Sequence, residues 1–209
     1  MLKVLGRAPS INVRKVLWTC AEIGLQVEHE ADWGTPARPA SAPGFLALNP
    51  NAQVPVIVDD GFVLWESNTI CRYLAGRHGR DDLLPADPRA RARVEQWMDW
   101  SATDLNAAWR PAYFALVRGD EAVRADVRAV EASAARWNAL MGLLDAQLAH
   151  GGPYIAGATF TLADVVLALA TNRWRCTPIA HAKLPAVDAW FDRLRARPAF
   201  LRFCDNGQP

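Results

Sequence analysis

The stretch NAQVPVIVDDGFVLWESNTI, Asn51 to Ile70, carries the pattern from which the fold is read. VPVIV and FVLW are β-branched and aromatic runs flanking Asp59-Asp60-Gly61, the signature of a hairpin. SNTICRYLAGRHG then changes to helical spacing and closes at Gly76 or Gly79. Two features inside the stretch need a reason beyond propensity. Pro55 opens a strand although it cannot donate to a sheet, and Glu66 stands against Ser67 where the apolar run gives way to a helix.

Upstream, LKVL is a short apolar run, and polar GRAPS separates it from INVRKVLWTCAEIGL. There Val13, Val16, Leu17, Cys20 and Ile23 keep helical spacing up to Gly24. QVEHE alternates as a second strand, and the Pro-, Ala- and Gly-rich segment to about Ala47 reads as loop with one irregular turn. The order is therefore βαβ followed by ββα. Downstream the grammar changes. RDDLLPADP, residues 80 to 88, reads as a linker, and no strand follows it. Arg89 to about Gly119 is one periodic segment that Pro111 is expected to kink or break. Glu121 to about Ala149 reads as a second long helix. Thr161-Leu162-Ala163-Asp164 is a capping box, with Phe160 and Val165 at the staple positions, opening a helix whose VVLALA body is apolar all round. Two short helices, from about Pro185 and after Pro198, end the chain. The expected domains are 1–79, a linker at 80–88, and an all-helical 89–209.

Hydrophobic residues at 51% and charged residues at 22% indicate a globular chain with ample core. A formal net charge of +1 supplies no long-range field for collecting polyanions, which disfavours nucleic acid and favours a small ligand. Cys20, Cys71, Cys176 and Cys204 contain no C-x-x-C pair and read as reduced thiols, and the four histidines show no ligand spacing, so no metal is assigned. Lys3 and Arg7 interrupt any apolar leader, and no run approaches the roughly 20 residues of a membrane span, so a cytoplasmic location is expected.

Three elements point to a ligand. The residue before a proline is driven into extended backbone, so Val54 can offer one donor and one acceptor to a peptide-like partner, although sequence physics alone favours Pro55 as a plain strand start. Ser67 can cap the following helix, or leave its N-terminus to a carboxylate while Glu66 balances an ammonium group; an α-amino acid end carries both charges. Ser10 and Asn12, at the start of the first helix, can be caps or can donate to a thiolate and lower its pKa.

The βαβ-ββα half, N-P-N-x-x-V-P-V at 49–56, W-E-S-N-x-I at 65–70 and the Thr161–Asp164 box within a helical second half together resemble the cytosolic glutathione transferase family, in its bacterial, serine-type, theta-like form. The resemblance spans essentially the whole chain. It implies a thioredoxin-like N-terminal domain that binds glutathione, with a cis bond at Pro55. Val54 would pair with the cysteinyl backbone, Glu66 and Ser67 would hold the γ-glutamyl end, and Gln53 would add a polar contact. The thiolate-stabilising hydroxyl maps to Ser10, with Asn12 second; that loop holds neither tyrosine nor cysteine. The glycine carboxylate has Arg38 as its one nearby cation. The helical domain would supply the pocket for a hydrophobic electrophile from Trp109, Arg110 and Tyr113. Glutathione is co-substrate and no cofactor is required. The family also implies a detoxification role and a homodimer that pairs one subunit's N-terminal domain with the other's helical domain. Isomerisation, dehalogenation, disulfide reduction and non-catalytic ligand binding stay open at this point.

Overall fold

A computed structural model describes all 209 residues, and the chain divides into two units, Met1–Pro85 and Ala86–Pro209. The first holds strands β1 (Lys3–Leu5), β2 (Glu28–Glu30), β3 (Val56–Asp59) and β4 (Phe62–Trp65), with helices α1 (Ile11–Ile23), α2 (Pro43–Leu46) and α3 (Ser67–Arg77). The four strands form one sheet in the order β2-β1-β3-β4. β1 runs parallel to β2 and antiparallel to β3, and β3 runs antiparallel to β4. The parallel pair needs a crossover, which α1 supplies; the antiparallel pair needs only the Asp60-Gly61 turn, whose φ values of 49° and 89° are those of a type I′ hairpin.

Side chains alternate across this sheet. Leu5 and Val56 face one side and pack with Trp33 and Phe45, while Val4 and Ile57 point to the other and are fully buried. Helices α1 and α3 pack against each other, and α1 also lies against β1 and α3 against β4. Lys15 Nζ donates to Asn68 Oδ1 at 3.4 Å, and Thr19 Oγ1 to Cys71 Sγ at 3.2 Å. Both partners advance along the chain together, so the two helices run parallel with their N-termini at the same end.

The second unit is helical throughout. Its elements are α4 (Pro88–Trp100), a π-helical turn at Ser101–Leu105, α5 (Asn106–Leu116), α6 (Glu121–Ala125), α7 (Val127–Gly151), α8 (Leu162–Cys176), α9 (Pro185–Leu194) and α10 (Pro198–Phe203). The expected buried centre is α8, in which every residue from Leu162 to Trp174 is buried.

Two expectations are corrected. Of the two outcomes expected at Pro111, the break does not occur: α5 runs through it, and the hydroxyl of Ser133 on α7 enters the turn beside it. The single long helix from Glu121 is two helices, because Asp126 leaves helical backbone (φ −91°, ψ 78°) and its carboxylate accepts from Ala129 N at 3.0 Å. A short acidic side chain that can bond an amide three residues ahead starts a new helix more readily than it extends an old one.

Candidate functional site

One rung of the sheet locates the candidate site. Leu5 pairs with Val56, and Val56 with Trp65. Just beyond that rung lie Gly6, leading into α1, then Val54-Pro55, leading into β3, and Glu66, leading into α3. Ser10, Val54, Pro55, Glu66 and Ser67, far apart in sequence, are thus all carried at this end of the sheet by elements that start or stop there.

The Val54-Pro55 bond is cis. Val54's own N–H and C=O make no hydrogen bond within the chain. Its side chain packs tightly: a Cβ on Gly6, at φ 148°, would come within 2.9 Å of Val54 Cβ and 2.6 Å of Val13 Cγ2. Only glycine lets the β1–α1 loop approach so closely. Behind Val54, the buried amide of Asn49 donates to Gln53 C=O at 2.8 Å and accepts from Asn51 N at 3.0 Å, tying down the turn that presents Gln53 and Val54. Gln53 itself is exposed. The N-P-N run was part of the recognisable pattern, but nothing in it distinguished a strut from a contact residue.

Neither long helix that begins here is closed by a side chain. Ser10 is the N-cap residue of α1, with extended backbone, yet its hydroxyl makes no capping bond. Asn12, one residue inside the first turn, is exposed. The cap reading of Ser67 is corrected: Ser67 is the first helical residue of α3 and is buried, and the N-cap position falls on Glu66. Glu66 makes no capping bond and sits at φ 73°, ψ 108°. A non-glycine residue in that region is strained by about 1 to 3 kcal/mol. Neither helix has an acidic residue in its first turn, so two positive dipole ends, each about half an elementary charge, stand open at one end of the sheet.

Arg38 lies on the segment after β2. Its backbone C=O accepts from Gly34 N, and Gly34 abuts Val54. Its Nη1 is held by Glu30 at 3.1 Å and Asp32 at 3.0 Å, and its guanidinium stacks 3.7 Å from the centre of the Trp33 ring. Nη2 and Nε keep their donors, though two carboxylates already offset the charge. Trp33 as the platform was missed, because one tryptophan in a loop carries no periodic signal.

Cys20 and Cys71 are buried on α1 and α3, and burial pushes their thiols up to about 12 and about 11. Neither supplies a thiolate at neutral pH.

In the second unit Trp109, Arg110 and Tyr113 occupy two faces of α5. Trp109 and Tyr113 meet edge to face at 5.2 Å, with the guanidinium of buried Arg173 lying 4.4 Å from each ring centre. Exposed Arg110 instead joins Pro111, Phe114, Asp120 and Val123 along a groove of about 340 Å³.

Comparison with known proteins assigns these units. Residues 1–76 match the family model of the glutathione S-transferase N-terminal domain, and residues 111–198 that of its C-terminal domain. Glutathione S-transferase GstB of Escherichia coli K12 is 35% identical over an alignment covering 95% of each chain. Glutathione S-transferase 3 of Zea mays is 36% identical, covering 96% of this chain and 92% of its own. A crystal structure of the theta class glutathione S-transferase from Xanthomonas axonopodis pv. citri with glutathione bound superposes with a TM-score of 0.89 and 37% identity, covering 97% of this chain and 96% of that one. With both family models matched in order and relatives aligned end to end, the chain belongs to the glutathione S-transferase family.

Proposed function

We propose that this protein is a glutathione transferase that holds glutathione beyond the Leu5–Val56–Trp65 rung and directs its thiolate at an electrophilic carbon. The observation that carries the reading is the pair of uncapped, parallel helix starts beside an unpaired Val54 backbone, in a chain of this family. Val54 N–H and C=O pair with the cysteinyl backbone as a short extra strand. The γ-glutamyl carboxylate takes the open N-terminus of α3 beside Ser67, and Glu66 balances the ammonium group. Gln53 adds a polar contact, and the spare donors of Arg38 meet the glycine carboxylate. The Ser10 hydroxyl, with Asn12 as the alternative donor, bonds the sulfur at the start of α1. A shift of about two units from a thiol reference near 8.5 makes the thiolate the major form at pH 7.

The S–C bond then forms as the leaving group departs with its electron pair, and no covalent enzyme intermediate is needed. Trp109, Arg110 and Tyr113 contact a hydrophobic electrophile. The buried thiols of Cys20 and Cys71 are held protonated and the β1–α1 loop carries no cysteine, so no protein thiolate is supplied at this end of the sheet. The protein acts in detoxification as a cytoplasmic homodimer; no helix is long and apolar enough to cross a membrane, and edge strand β4 leaves Phe62 half exposed for a partner surface.

Calorimetry with glutathione, followed by turnover of a chlorodinitrobenzene-type substrate, tests the proposal. Uptake, conjugation, and loss of turnover in Ser10→Ala with Asn12→Ala retained support it. The reverse variant pattern moves the role to Asn12, and no uptake at millimolar glutathione overturns the whole assignment.

A further inference from the structure

Pro111 sits inside α5, where it has no N–H to give and its ring crowds the carbonyl one turn back. One residue on, Ala112 N–H donates to Ser133 Oγ at 3.0 Å, and the same hydroxyl donates to Ala108 C=O at 2.6 Å. A regular α-turn would pair those two backbone groups with each other. Here a hydroxyl from α7 stands between them. Ser133 is only 6% exposed, so water is a poor substitute.

The bridged turn contains Trp109, Arg110 and Pro111, and Tyr113 follows directly. Around it the rings are fixed from two further helices: Arg173 of α8 lies over both Trp109 and Tyr113, and Trp137 of α7 lies 6.4 Å from Trp109. The opening of the turn sets the backbone from which the three side chains project. Removing the hydroxyl leaves a buried donor and acceptor that the proline ring hinders from closing on each other.

We propose that Ser133 is a positioning residue: by standing in the turn beside Pro111 it orients Trp109, Arg110 and Tyr113 and so sets which electrophiles are accepted. The inference rests on the reading of those three residues as electrophile contacts.

The test compares the full-length wild type with Ser133→Ala, Ser133→Thr and the double variant Pro111→Ala/Ser133→Ala. Amide hydrogen exchange across residues 108–114 reads the turn, and kinetics with aryl electrophiles of graded size read its role. Ser133→Ala should speed exchange at Ala112 and raise KM for the bulkier electrophiles roughly tenfold, with KM for glutathione held within about twofold. Ser133→Thr, which keeps the hydroxyl, should restore both. The double variant can close the turn directly, so it should regain stability and yet keep the electrophile shift. Faster exchange with unchanged electrophile KM overturns the proposal, as does a double variant that regains both stability and electrophile KM. A wild type that binds glutathione and conjugates nothing sinks the parent reading of the pocket instead, and this one with it.

Discussion

Most helix starts of the second unit are closed by an aspartate, whereas the two long helices of the first unit start open. In the second, five helices begin against an aspartate: Asp87 for α4, Asp120 for α6, Asp126 for α7, Asp164 for α8, and Asp145, reaching from α7, for α9. In the first, α1 and α3 begin with no side-chain cap and no acid in the first turn. Closed starts contribute stability, each by about 1 kcal/mol. Open starts side by side leave a concentration of positive potential and unpaired amides for a bound anion. The contrast separates what holds this protein together from the starts proposed to meet glutathione, and it predicts that substitutions in the two sets fail in different ways.

Asp164 should show the largest effect. Its carboxylate accepts from Ile155 N, Thr161 N, Thr161 Oγ1 and Trp190 Nε1, all within 3.2 Å, so Asp164→Ala strands four donors in the core. A loss of about 4 kcal/mol is expected by urea denaturation. Burial pushes this carboxyl up to about 6 despite those donors, well above the ordinary Asp value. A raised folded pKa gives a stability contribution that is complete below about pH 4 and lost as pH rises through 6. Wild type should therefore lose ground to the non-titrating Asp164→Asn between pH 4 and pH 7, and parallel curves would refute the shift.

Next comes Ser10→Ala, expected to lower kcat/KM for conjugation roughly a hundredfold, the usual effect of removing one donor to a developing or resident anion. Because no capping bond is lost, denaturation should move by less than about 0.5 kcal/mol. A large stability change with intact turnover would erase the distinction between the units. Asp145→Ala is the converse: it removes the acceptor for Ala186 N and Val187 N at 2.8 and 2.9 Å, and should cost about 1.5 kcal/mol while leaving glutathione affinity unchanged. Smallest in energy and sharpest in meaning is Glu66→Gly. Relieving the φ of 73° should stabilise the fold by up to about 1 kcal/mol while weakening glutathione binding measured by calorimetry.

Much of this was legible along the chain. The βαβ-ββα order, the hairpin at Asp60-Gly61 and the Thr161–Asp164 box depend on residues within one turn or one hairpin of each other, so pattern and propensity report them directly. Asp126 carried the same kind of local signal and was passed over because the helical spacing continues on both sides of it. Ser67 was legible as lying at a helix start, but its place one residue inside depends on Glu66 adopting a backbone that no glutamate announces.

Other features belong to the tertiary structure alone. The convergence of Ser10, Val54 and Glu66 follows from strand register, which pairs Leu5 with Val56 and Val56 with Trp65. The cap that Asp145 provides for α9 and the bridge that Ser133 makes beside Pro111 join residues 41 and 21 positions apart. Such contacts are chosen by which helix packs beside which, and an isolated aspartate or serine has no periodicity to betray its partner. Short-range chemistry is written in neighbouring letters; a hydrogen bond between distant elements exists only once the core has brought them together.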